Sequence, residues 1–443
     1  MANTILTKGN IKKELIYLSL PLLAGNILQQ FYNTVDSLMI GRFLGSDAFA
    51  STGISATIMN LFLFILTGFC VGLSVLFSQI YGTGNKFEFR KEVFVSLVFG
   101  SPLTIILSVL SIFLLKPLLL IIHTPESLLN YTMDYLSIIL GGLIFAYYYN
   151  LFSSILRSIG DTKTALLFLM LSVAVNTLLD YLFLGIFHTD IRGAAYATIL
   201  AQGISALCCF LYLHKKYPSL LCTAKEIGLH SSLIKKTFKF GFISALHQSS
   251  LYIGKMLVQG AVNTLGTAGI SAYSATMRIE GIINSFGDSG GQAISIFISQ
   301  NYGAGNKKRV HDGFRHGLLL LCILAISLST VMFFSSNFCL SVFLGKNNLP
   351  ALEYGNAYLK IVSIFYILCF IGNVFVGYFR GTEKVMAPFI GTTMHLTLRV
   401  ILSYLLVSSY GLSAIAYATA AGWILVVLFH CFIYFRGRAQ AGM

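Results

Sequence analysis

Residues 15–40 read LIYLSLPLLAGNILQQFYNTVDSLMI, a run whose only charge is Asp36. As a helix it exceeds the roughly 30 Å of hydrocarbon in a bilayer. A carboxylate inside such a helix costs about 2.5–3.5 kcal/mol on insertion scales, so it marks a pathway or a relay rather than a packing position. The run is too long and too acidic for a cleaved leader, and it lacks a small-residue cleavage site after a compact apolar core.

Eleven more runs of this kind follow, at 48–79, 91–119, 128–156, 164–187, 192–214, 233–262, 267–299, 313–340, 353–379, 385–409 and 411–435. The chain has 443 residues, 56% hydrophobic and 10% charged, with a mean hydropathy of +0.79. No soluble core needs that much apolar surface. An all-α polytopic membrane protein with twelve transmembrane helices is therefore expected, with joining loops too short to hold an extramembrane domain.

Lys and Arg set the orientation, because short basic loops stay in the cytoplasm. With the N-terminus inside, 22 Lys and Arg residues fall on the inner face against four outside, Arg42, Lys116, Arg192 and Lys346. Both termini are thus expected in the cytoplasm. The net charge of +14 is spread over many short loops, which argues against a nucleic-acid partner. The eight Cys show no metal-ligand spacing and read as reduced structural residues.

The segment SQIYGTGNK (78–86) returns as SQNYGAGNK (299–307), identical at seven of nine positions. The same offset aligns the two AYAT segments at 195–198 and 416–419, and a two-residue gap brings Arg157 onto Arg380 and Asn176 onto Arg399. Two pseudo-symmetric six-helix lobes are expected around a central cavity: 1–214, a cytoplasmic linker 215–232, and 233–443. Such a duplication is a transporter architecture. The GTGNK turn lacks the spacing and terminal Ser or Thr of a phosphate loop, and its glycines read as positions needing φ > 0.

Asn176 and Asp180 lie four apart on the fifth span, hence on one helical face, and Thr198 lies early in the sixth. Together with Asp36 they could form a pocket for H+ or Na+; alternatively, Asp180 only ties neighbouring helices. Two carboxylates in a poorly solvated site cannot both ionise cheaply, so such a pair would exchange a proton as a unit. In the second half Leu257, Arg399 and Ser403 stand where Asp36, Asn176 and Asp180 stood. Ion coupling is therefore expected in the first lobe alone.

Glu280 on the eighth span does not share a face with Arg278, and is read as meeting a cavity, a ligand or Lys255. Gln29, Tyr32 and Asp36 line one stripe of the first span. Aromatic, amide and carboxylate groups together suit flat organic cations.

Taken together, the paired YGxGN turns, QQFYNTVDSLMIG, RSIGDTK (157–163) and NTLLDYLFLG (176–185) resemble the multidrug and toxic compound extrusion (MATE) family, over nearly the whole chain. The resemblance implies a cation site at Asp36, Asn176, Asp180 and Thr198. It also implies a cavity lined by Gln29, Tyr32, Asn150 and Gln202, and a first helix able to bend at Pro21. An acid on the eighth span is similar to the MepA-like bacterial branch, where it is associated with substrate, which favours Glu280.

The expected function is an H+- or Na+-coupled antiporter that exports cationic, amphipathic organic compounds by alternating access. It would act as a monomer in a bacterial cytoplasmic membrane. It needs no cofactor beyond the coupling ion, no metal and no nucleic acid. The alternative is a flippase for a lipid-linked oligosaccharide or cell-wall precursor, whose anionic cargo would suit Lys255, Arg278 and Arg399. An enzyme is not expected, because no nucleophile and base or metal-spaced His pair converges within a span.

Overall fold

The computed structural model describes residues 6–122, 124–221, 231–345 and 347–440, so Lys346 and residues 222–230 of the expected linker lie outside the described residues. The first half contains α1 (Ile11–Leu44), α2 (Ser46–Thr83), α3 (Lys86–Ile121), α4 (Glu126–Gly141), α5 (Leu143–Ser158), α6 (Thr162–Asp180) and α7 (Ile191–Lys216). The second contains α8 (Ser231–Asn263), α9 (Gly266–Gly303), α10 (Lys307–Leu344), α11 (Leu349–Gly381), α12 (Met386–Tyr410) and α13 (Leu412–Gln440).

These helices make twelve rods among the described residues, because α4 and α5 form one span broken at Gly142, where their axes bend by 46°. The expected span 128–156 is thus divided into two helices: the Gly141–Gly142 pair removes side-chain support from two successive positions. The expected span 164–187 is α-helical only to Asp180 and then widens into a π-helix over Tyr181–Ile186. By length and composition alone, nine of the rods are apolar enough to cross a membrane among the described residues. The other three, α1, α8 and α9, are the ones that carry Asp36, Lys255, Glu280 and Asp288.

Packing divides the chain into two compact units. Unit 1 is Met1–Leu6 with Ala24–Ala245; unit 2 is Thr7–Leu23 with Leu246–Met443. The division cuts through α1 just after Pro21, which lies inside that unbroken helix. It also cuts through α8. Packing and duplication are therefore different divisions of this chain. In unit 2, Arg309 fastens the start of α1: it donates to Glu14 Oε2 at 2.9 Å, to the Gly9 carbonyl at 2.9 Å and to Asn301 Oδ1 at 3.1 Å.

The repeated turns fold alike. Gly84 and Gly305 take φ of 74° and 72°, in the left-handed region that only glycine adopts freely. The next residues, Asn85 and Asn306, cap α3 and α10 by accepting from the Glu88 and Arg309 amides, each at 3.1 Å. Between α3 and α5 the approach is close. Tyr147 donates to the Ser96 carbonyl at 2.6 Å, and its hydroxyl occupies the space that a Cβ on Gly100 would need.

Asp161, in the loop before α6, ties α6 to the end of α7. It accepts from Thr164 Oγ1 at 2.7 Å, Tyr217 at 2.9 Å and Tyr212 at 3.2 Å, with Lys216 Nζ 3.5 Å away. Partial burial alone would raise its pKa, but the hydrogen bonds from Thr164 and Tyr217 and the Lys216 charge outweigh it and hold the carboxyl below its ordinary range. A carboxyl held low contributes stability above its unfolded pKa and loses it as pH falls through the folded one. Asp161→Ala should therefore cost about 1 kcal/mol at neutral pH, as other lost caps do. In thermal unfolding of the detergent-solubilised protein that deficit should vanish in strong acid; a deficit independent of pH would show that the charge is not its source.

Candidate functional site

Unit 1 gathers polar groups from four rods: α1, α4, α6 and α7. α6 carries Asn176 and Asp180 one turn apart, 2% and 0% exposed, and Thr198 projects from the second turn of α7. With the Asn176 amide turned so that its nitrogen faces the acid, Nδ2 donates to Asp180 Oδ2 at 3.1 Å. Its oxygen then lies 3.3 Å from both the amide nitrogen and Oγ1 of Thr198. The Thr198 hydroxyl is also 3.2 Å from the Ala194 carbonyl of its own helix.

α1 brings Asp36 to this group, with its carboxyl in hydrogen-bonding reach of Asp180. Oδ1 of each acid is buried and meets no hydrogen-bond donor. Two facing carboxylates are mutually repulsive unless a cation or a single proton is placed between them. Tyr32, one turn before Asp36, points at Thr198 and both acids. The set therefore brings two carboxyls, an amide and a hydroxyl together, with a phenol beside them.

Tyr135 of α4 completes it. Buried, it approaches Thr198, Asp36 and Asp180. Its role was not read from the sequence, yet a signal existed: YxxxYL occurs at 131–136 and again at 354–359, close to the register of the repeat. The π-helix starts immediately after Asp180. Wide turns of this kind occur often at functional sites, because they re-aim the side chains beside them.

Gln29 is exposed and donates to Asn33 Oδ1 at 3.5 Å, within its own helix. Asn150 donates to the Ala146 carbonyl at 2.8 Å, and Gln202 is half-buried one turn beyond Thr198. Pro21 belongs to the stretch of α1 in unit 2.

Glu280 also lies in unit 2, 6% exposed on α9. Tyr358 donates to its Oε2 at 3.4 Å, while Oε1 is buried with no hydrogen-bond partner. The strongest opposite charge near it is Arg399 of α12, ahead of Lys255. Arg278 is exposed on α9. Among the described residues no three His, Cys, Asp or Glu side chains converge in a way that could hold a metal ion.

Three comparisons bear on this arrangement. The MatE family model matches residues 21–182 and again 244–405. A probable multidrug resistance protein of Bacillus subtilis, YpnP, is 32% identical over 84% of this chain and 82% of its own length. The multidrug export protein MepA of Staphylococcus haemolyticus is 20% identical over 97% and 95%. Among solved structures, a MATE protein in complex with MaL6 superposes with a TM-score of 0.91 at 20% identity, covering 100% of this chain and 99% of that one. A MOP superfamily transporter from Pyrococcus furiosus, described as having a binding pocket of reversed polarity, gives 0.90 at 20% identity, covering 100% and 98%.

Proposed function

Since this chain belongs to the MatE family of membrane transporters, we propose that it exports organic compounds from the bacterial cytoplasm and is driven by H+ through Asp36 and Asp180. The observation that carries this reading is the pair of facing carboxyls, each with a buried oxygen that meets no donor. A single proton satisfies such a pair. A sodium ion would need several oxygens at ionic contact, and Asn176 already engages Asp180 and Thr198.

Proton and cargo need only penalise each other's binding for exchange to follow. With the proton in place the pair carries one negative charge; without it the pair carries two, and the stronger negative field favours an organic cation. Alternating access would then carry cargo out as the proton comes in, and a bend of α1 at Pro21 would move Tyr32 and Asp36 relative to α6. The relatives' names support small organic substrates; cationic, amphipathic cargo is the finer proposal, together with a monomer whose termini are both cytoplasmic.

The test is ethidium efflux from cells in which the proton and sodium gradients are collapsed separately. Efflux should stop when the proton gradient is lost and continue when only sodium is equilibrated. The reverse pattern would replace H+ with Na+. A second reading, export of an anionic lipid-linked precursor, draws on the exposed Lys255 and Arg278. It predicts binding of a pyrophosphate lipid and no dye efflux.

A further inference from the structure

The repeat places a counterpart of the acidic pocket inside unit 2. YxxxYL matches Tyr358 with Tyr135, and AYAT sets Thr419 in register with Thr198. The side-chain pairing recurs as well: Tyr135 approaches Thr198 in unit 1, and Tyr358 approaches Thr419 in unit 2. Around the second pair the residues have changed. Leu257 takes the place of Asp36, and Ser403 takes that of Asp180, its hydroxyl turned to the Arg399 carbonyl at 2.7 Å. Arg399 takes the place of Asn176, the residue that bridges Asp180 and Thr198 in unit 1.

The negative charge comes instead from Glu280. Arg399 is 7% exposed among Tyr273, Tyr358 and Glu280, and its Nε is buried without a partner. Glu280 is the acid that acts on this guanidinium, and its charge offsets part of the cost of burying it. The charged and titratable groups facing Glu280 come from several neighbouring rods: Lys255 of α8, Tyr273 of its own helix α9, Tyr358, Tyr366 and Cys369 of α11, and Arg399 of α12.

We propose that unit 2 holds a monovalent-cation site built on the plan of the acidic pocket in unit 1, and that the chain's own Arg399 guanidinium fills it. No free cation enters while that side chain is present. Truncating it opens a cavity, against Glu280 and three tyrosines, shaped for a small planar organic cation. Cation exchange is thereby confined to unit 1, so each transport cycle has one coupling site.

The chain supplies its own reporter, because its single Trp, Trp423, stands 6.0 Å from Tyr366, ring to ring. Arg399→Ala, purified in detergent, should show a saturable Trp423 fluorescence change and a raised thermal midpoint with guanidinium chloride at millimolar concentration, far below denaturing levels. Potassium chloride at equal ionic strength should not produce it. Apparent affinity should exceed that of the wild type by at least about tenfold, and the gain should vanish in Glu280→Gln/Arg399→Ala. No saturable response in Arg399→Ala, or an equal response in wild type or double variant, overturns the proposal.

Should Arg399→Ala fail to fold, Glu280→Gln/Arg399→Gln decides. Removing both charges should leave a higher thermal midpoint than removing Arg399 alone. Strictly additive losses would show that the two residues do not share a site. Neither experiment involves transport, so the proton-coupling reading stands or falls separately.

Discussion

Asp36→Asn and Asp180→Asn should each reduce ethidium uptake into inverted vesicles by about tenfold or more, the range that coupling free energies between two ligands produce. An amide has no exchangeable charge at any attainable pH, so the pocket would be left with one acid and no partner with which to share a proton. The double variant should be no worse than either single one, because groups that act as a unit lose their function with the first member. The amide introduced by Asp180→Asn could still accept from Asn176, as the Asp180 carboxyl does at 3.1 Å, so thermal midpoints should stay near wild type. Full activity in both single variants would remove the acidic pair from the mechanism.

Gly100→Val should have the largest effect on folding. Tyr147 is fully buried, hydrogen-bonded to Ser96, and flanked by Phe69 at 6.5 Å and Tyr148 at 5.7 Å, ring to ring. Its rigid phenol cannot swing aside from a Cβ that would overlap its hydroxyl. Overpacking of this kind costs about 1–3 kcal/mol, and more where nothing can move. Small residues are what allow helices to approach closely inside a bilayer. Fluorescence-detected gel filtration should show a loss of monodisperse protein, and Gly100→Ala should show a smaller loss. Adding Tyr147→Phe should partly restore Gly100→Ala, since it deletes the oxygen nearest to the new methyl and leaves only ring carbons farther off. A normal midpoint for Gly100→Val would mean that α3 and α5 are less tightly apposed than this.

The twelve rods and the duplication are legible in the sequence because length, hydropathy and a nine-residue repeat are local properties. The break at Gly142 is not, since a Gly–Gly pair inside an apolar run is compatible with a straight helix until neighbouring rods are packed. The same holds for the site. The four-residue spacing of Asn176 and Asp180 fixes a shared face, but their meeting with Asp36, Tyr135 and Thr198 depends on where α1, α4 and α7 lie against α6. Gln29 shares the stripe of Asp36 at a spacing of seven residues, which also sets it two turns along the axis from the acids. Glu280 stands out in the sequence as an acid in an apolar run, while its main counter-charge, Arg399, lies 119 positions further on and no periodicity links them.

The exchange of helix segments between the units bears on how such a molecule can be divided. The first rod of each half begins in one unit and ends in the other, α1 passing from unit 2 to unit 1 and α8 from unit 1 to unit 2. A gene cut between codons 222 and 230 would therefore yield two polypeptides, each retaining a strip of helix that belongs in its sibling's core. Produced alone, either would be a client for proteolysis; produced together, they would complete one another.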